Sequence, residues 1–237
     1  MSGVKTTKWL EIVDTEEHYD KNEKQLLDLG WTKDNILYEY NDAGYRSEEF
    51  YGNDPCAMFV GCSFTYGMGL NIEATWGHMV ARKLGLRFCS VAKPGYSNDA
   101  CFREVRNWIS EIKPEKVFML APPSHRFETK IEPESIEQFQ VQTLLNPPDK
   151  KPKEFFDCVP YALLWNAYDD NYILNREKNY LAIKQLCLEY NIPFYYVASE
   201  KHPYIKGDLA RDLSHPGRIW QKNIARKFFG LLSNEND

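Results

Sequence analysis

The stretch Ala57-Met58-Phe59-Val60-Gly61-Cys62-Ser63-Phe64-Thr65-Tyr66-Gly67 sets the fold class. Its first four residues are apolar without a break and end at a glycine, the pattern of a short strand buried on both faces. Such strands belong to parallel sheets, and parallel neighbours need a helical crossover between them. The residues downstream supply one. Ala74 to Leu84 carries Trp76, Met79, Val80 and Leu84 at helical spacing and stops at Gly85. Leu86 to Ala92 reads as a second strand. Asn98 to Ile112 reads as a second helix, with Val105, Trp108, Ile109 and Ile112 on one face and Lys113-Pro114 as its end. Val117 to Ala121, closed by Pro122-Pro123, is a third strand. Glu177 to Tyr190 is a helix whose inner side is outlined by Leu181, Ile183, Lys184, Leu186 and Leu188. Pro193 to Ala198 is a fourth strand, and Arg218 to Leu232 the last helix. This alternation predicts an α/β protein: three layers, α/β/α, around a parallel sheet. Such sheets gather their chemistry at the carboxyl ends of the strands. The segments to inspect are therefore 61–69, 93–99, 122–128 and 199–216.

Outward from this rhythm lie two less regular regions. Residues 1–54 read as an N-terminal extension packed on a core domain of residues 55–237. Within it, Thr15 to Leu29 predicts an acidic helix with Thr15 as N-cap and Gly30 as its stop, and Ile36 to Tyr40 predicts a strand. Residues 124–176 form an insert, with four prolines between Pro147 and Pro160. After them Tyr161, Trp165, Tyr168 and Tyr172 recur at helical spacing. That stripe either packs its helix onto the body or lines a substrate cleft. The run Lys150-Lys151-Pro152-Lys153 reads as a solvated loop.

Composition excludes several classes. With 43% hydrophobic residues in a chain of 237, the protein can build a core, so disorder is not expected. A net charge of −5 weighs against nucleic-acid binding as a main task. No apolar run is long enough to span a bilayer, so no membrane association is expected. The start, Met1 to Glu17, lacks the apolar core and cleavage site of a secretory signal. The six cysteines are scattered with no CxxC and read as free thiols of a reducing compartment. Cytoplasmic synthesis is expected, with assembly into a virion as one destination. His125, His202, Asp208 and His215 match no recognised ligand spacing, so neither metal nor cofactor is expected.

Two segments carry candidate chemistry. Ser63 stands just beyond a strand end, bracketed by Gly61 and Gly67. A nucleophilic hydroxyl needs that setting: a rigid turn, with backbone amides nearby for a developing oxyanion. The plainer reading is a serine that caps a turn. Near the other end, Asp212-Leu213-Ser214-His215-Pro216-Gly217 precedes the last helix. Residues three apart on a helical turn are neighbours, so Asp212 reaches one imidazole nitrogen of His215 and leaves the other to accept a proton from Ser63. The plainer reading is a histidine held by a local cap contact.

In combination and chain order, Ser then Asp then His, these motifs resemble the SGNH, or GDSL-type, hydrolase family over roughly residues 55–232. Gly61 to Gly67 stands for the family's first block, Ala92-Lys93-Pro94-Gly95-Tyr96-Ser97-Asn98 for the second, and Asp212 to Gly217 for the last. Gly44-Tyr45-Arg46-Ser47 and Gly52 are similar to the lead-in of some bacterial and phage members. The resemblance implies a flavodoxin-like fold, with Ser63 as nucleophile, His215 as general base and Asp212 as its orienting partner. It also implies an oxyanion hole built from the amides of Ser63 and Gly95 and a third donor.

The departures are informative. Cys62 replaces the usual acid and reads as a small buried side chain rather than as a nucleophile. The family's asparagine after the third strand has no counterpart, because the segment is Ala121-Pro122-Pro123-Ser124-His125. Asn98 is the candidate third donor, with Ser124 and His125 as further options; loss of such a donor costs roughly a hundredfold or more in rate. Arg126 either grips an anionic substrate group or pairs with Glu128 and stiffens its loop, the second being the preferred reading.

The leading expectation is thus a serine esterase or deacylase acting on an acyl ester of a small molecule or glycan, with O-acetyl groups on a carbohydrate as the suggested class. Candidate substrate contacts are Ser124, His125, Arg126, Tyr161 and Trp165. The alternative is a non-catalytic glycan-binding or structural protein, for example of a phage particle, that keeps the hydrolase fold. A nucleotide-binding flavodoxin-like role is weaker, since neither GxxxxGK[ST] nor GxGxxG is present. The oligomeric state is left open.

Overall fold

The computed structural model describes residues 5–129, 137–140, 160 and 168–234. Tyr161, Trp165 and the run from Lys150 to Lys153 lie outside the described residues.

Four strands form a parallel sheet: β3 (Cys56–Val60), β4 (Arg87–Ser90), β5 (Lys116–Ala121) and β8 (Phe194–Ala198), in the order β4-β3-β5-β8. The register pairs Phe59 with Phe118 and Phe118 with Tyr195. Helices α3 (Trp76–Leu84) and α6 (Arg218–Ser233) cover one face. Helices α4 (Asn98–Ile112) and α5 (Asp169–Glu189) cover the other. Alternation along β3 supplies both: Ala57 and Phe59 enter the first layer, Met58 and Val60 the second. On the first face the rings of Phe88, Phe59, Phe118 and Tyr195 run across the sheet, with centroids 5.0, 5.3 and 4.7 Å apart in turn. The fold is the expected three-layer α/β/α sandwich.

The chain leaves β3 through α3 on one face, whereas α5, the helix that follows β5, lies on the other. Neighbouring connections therefore diverge at the carboxyl ends of β3 and β5, which opens a crevice there.

Most elements match their sequence signals. Helix α4 has the expected bounds, and Thr15 caps α1 (Glu16–Asp28) by accepting from the His18 amide. Helix α5 differs. It begins at Asp169 rather than Glu177, and its inner face is Ile183 and Cys187, while Leu181 and Leu188 are exposed. The reason is polar burial. Asn175 and Asn179 occupy the inner stripe and donate to the Asp99 carboxylate at 3.1 and 2.9 Å. Hydropathy alone assigns such residues to the outside.

The strand expected over Ile36 to Tyr40 is present as Tyr38–Tyr40, but the sequence signals missed α2 (Ser63–Tyr66), the partner of that strand and a second small antiparallel pair. The first pair joins β1 (Lys5–Thr7) to β2 (Tyr38–Tyr40); the second joins β6 (Arg126–Thr129) to β7 (Glu137–Gln140). Strands of three or four residues are too short for a period to emerge.

The first 54 residues pack through Tyr19, Leu26, Trp31, Ile36 and Tyr38 against Tyr66, Met68, Leu70, Ala92 and Ala210. Trp31 Nε1 donates to the Leu209 carbonyl at 3.0 Å. Beneath them Asp14 and Arg211 form a wholly buried ion pair at 2.8 Å, and Arg211 also donates to the carbonyls of Lys8, Thr32 and Lys33. No described helix is long and apolar enough to cross a membrane.

Candidate active site

Strand β3 delivers the chain to Gly61, where only glycine fits: a Cβ there would lie 2.1 Å from Thr65 Oγ1 and 2.8 Å from the Leu120 carbonyl. The chain then turns into α2, with Cys62 extended at its N-cap and Gly67 ending it in the left-handed region at φ 78°. Ser63 is the first residue of this single turn. Its amide has no carbonyl to bond within so short a helix. Two buried side chains fix the turn from behind. Gln221 of α6 donates to the Phe64 carbonyl at 3.0 Å and accepts the Trp76 amide at 2.9 Å. Arg46 donates to the carbonyls of Gly67 and Leu70, both at 2.7 Å.

The second half of the site lies after β8. Asp212 is buried and accepts four hydrogen bonds: from His215 Nδ1, from the His215 amide at 3.0 Å, and from the Ser214 amide and hydroxyl at 3.2 and 2.9 Å. Leu213 takes a left-handed φ of 55° so that both neighbours can face the carboxylate. Burial pushes the Asp212 carboxyl up, but the hydrogen bonds and charge of His215, with the Ser214 hydroxyl, outweigh it and hold the group below its ordinary value. Asp208 anchors the segment by accepting the amides of Ile219 and Trp220 at 3.1 and 2.7 Å, which caps α6. With Nδ1 engaged by Asp212, His215 keeps Nε2 for another partner.

Ser63, Gly95 and His215 line one cavity of about 660 Å³, together with Tyr66, Met68, Pro94, Arg126 and the segment Leu10 to Val13. Gly95 stands there at φ 81° with no atom within 4 Å of where a Cβ would be, so the Cβ side of this residue is open. Ser63 and His215 share the cavity but are not hydrogen-bonded. The Ser63 hydroxyl has only a weak contact with Cys62 Sγ, at 4.0 Å, among the described residues. Such bonds commonly tighten only around substrate.

The remaining candidates fall as follows. Asn98 is not brought to the cavity: it is buried, and its Nδ2 donates to the Pro122 carbonyl at 3.3 Å. Ser124 is held aside by Glu200, which accepts both its amide and its hydroxyl. His125 has its imidazole pushed below the usual value by burial and by the adjacent Arg126 charge. Arg126 lines the cavity, and the pairing with Glu128 preferred from the sequence is not made, because Glu128 accepts Arg103 at 3.0 to 3.1 Å. Cys62 is buried in the core, as its residue type suggests. No group of three potential metal-ligating side chains converges among the described residues.

Sequence reasoning missed one wall of the cavity. Leu10, Glu11, Ile12 and Val13 belong to the extension, and Ile12 is 89% exposed. The apolar cluster Trp9, Leu10, Ile12 and Val13 in an otherwise charged segment was the available signal.

No family model matches the chain, and no curated protein matches it. Among solved structures it is similar to TesA, at 14% identity, covering 75% of this chain and 97% of that one with a TM-score of 0.41. It is similar to the psychrotrophic esterase EstA of Pseudoalteromonas sp., at 13% identity, 78% and 100% coverage and a TM-score of 0.40. It is also similar to a family 3 carbohydrate esterase of Clostridium thermocellum, at 14% identity, 75% and 94% coverage and a TM-score of 0.39.

Proposed function

We propose that the protein is a serine ester hydrolase of the SGNH type. The observation that carries this reading is the convergence of Ser63, Gly95 and His215 on one cavity, with Asp212 hydrogen-bonded to the far side of the imidazole. Ser63 Oγ attacks the ester carbonyl while His215 Nε2 takes its proton. Asp212 holds the tautomer and stabilises the imidazolium. The amides of Ser63 and Gly95 donate to the tetrahedral oxyanion. The intermediate collapses as His215 returns the proton to the leaving alkoxide. Water then repeats the sequence on the acyl-enzyme and frees Ser63.

Residues 1–54 serve the domain of residues 55–237 as one wall of this site, through Leu10 to Val13. Apart from Glu11, Leu10, Ile12 and Val13, with Met68 and Pro94, make that wall apolar and suited to an acyl group. O-acetyl groups on a carbohydrate are the proposed substrate class. Turnover of p-nitrophenyl acetate and acetylated xylan by the wild type, abolished in Ser63→Ala, is the expected result. Equal turnover by both proteins removes Ser63 from the mechanism.

One observation favours a second reading, a non-catalytic glycan-binding or structural protein: the absent Ser63–His215 hydrogen bond. Retained glycan binding with no turnover on either ester would select it.

A further inference from the structure

The Arg126 guanidinium has an unusual status. Its Nε and Nη1 are shielded from solvent yet have no hydrogen-bond partner among the described residues. Buried guanidinium nitrogens are nearly always paired, since an unpaired one forfeits its hydration for nothing. The neighbouring carboxylates are already engaged. Glu128 accepts Arg103, and Glu200 accepts Arg176 at 2.6 Å and the Ser124 hydroxyl at 2.7 Å. Glu11 lines the same cavity, but it is exposed and forms no ion pair with Arg126. Within β6, Arg126 is the first residue after the β5 turn, and it shares the cavity with Ser63 and His215. An unpaired cation beside a nucleophile is a ready partner for a planar anion.

We infer that Arg126 binds a carboxylate on the substrate, so that the site favours esters bearing one negative charge, acidic acetylated sugars among them, over neutral ones. The inference rests on the proposed ester hydrolysis for the meaning of the cavity, but its test does not require turnover. The probes are monomethyl glutarate, which is anionic, and dimethyl glutarate, its neutral counterpart. Both are titrated calorimetrically into the Ser63→Ala protein, which cannot consume them by the proposed route.

Charge-assisted hydrogen bonds of this kind predict roughly ten- to a hundredfold tighter binding of the monoester. Arg126→Met is expected to abolish that preference, with the monoester losing far more affinity than dimethyl glutarate, while Arg126→Lys keeps part of it. Equal binding of the two probes to the Ser63→Ala protein overturns the inference, as does a preference that survives in a folded Arg126→Met protein. If Arg126→Met does not fold, the wild-type preference and its decrease in Arg126→Lys decide. Inorganic phosphate, added as competitor, separates the sources: displacement of the monoester only at high concentration marks a carboxylate site, and displacement at lower concentration than glutarate itself overturns the carboxylate assignment. Failure of the ester reading would instead appear as absent turnover with the binding preference intact.

Discussion

The backbone N–H of Arg211 donates to the carbonyl of Gly69 at 3.0 Å, which ties the chain leaving the Ser63 turn to the chain entering Asp212. Gly69 adopts a left-handed φ of 68°, and a Cβ there would lie 3.0 Å from the amides of both Arg211 and Asp212. The approach needs glycine on both counts. Gly69→Ala is expected to destabilise the fold by about 1–3 kcal/mol through backbone strain. It should also displace Asp212 and His215 and lower kcat more than it raises KM. Chemical denaturation and steady-state kinetics on a short ester check the two effects; an unchanged kcat in the folded variant would separate this contact from the site.

The ion pair of Asp14 and Arg211 has both side chains out of solvent. Removing one partner strands the other charge, so Asp14→Ala is expected to cost about 3–5 kcal/mol. Replacing both, as in Asp14→Leu with Arg211→Met, should cost less than the single change. Lys8→Ala, which cuts the exposed pair with Asp34, should leave the midpoint of urea unfolding where it was. A midpoint for Asp14→Ala equal to that of the wild type would show that the extension is not anchored by this pair.

Asp212 contributes to the pH dependence of stability with a definite sign. Its folded carboxyl lies below its ordinary value, so the unfolded chain protonates first as pH falls. The contribution is complete above an ordinary aspartate pKa of about 3.9 and is lost as pH falls through the lower, folded value. The Tm of the wild type should therefore drop more steeply on the acid side than that of Asp212→Asn. The same change should lower kcat by roughly 10³–10⁴ by releasing the imidazole from its tautomer. Parallel Tm curves for the two proteins would contradict the stabilising role.

The layered fold was legible because buried strands such as Ala57 to Val60 and one-sided helices such as Asn98 to Ile112 carry their environment in their hydropathy. Ser63 and His215 were legible because glycines and a local Asp-x-x-His spacing mark them. What stayed hidden depends on contacts distant in the chain. Asn175 and Asn179 sit inward only because Asp99 receives them. Asn98 is buried with one amide hydrogen on the Pro122 carbonyl and is not among the residues that line the cavity. Arg126 looked like a partner for Glu128 until Arg103 claimed that carboxylate. Leu10 to Val13 became a cavity wall only through the anchor between Asp14 and Arg211.

Covalent labelling with a fluorophosphonate, read by intact mass and peptide mapping, measures nucleophilicity at Ser63 without any assumption about substrate. One adduct per chain on Ser63 is expected, lost in Ser63→Ala and slowed at least a hundredfold in His215→Ala. A wild-type chain that stays unlabelled, or an adduct that forms equally in Ser63→Ala, would contradict the assignment of the site.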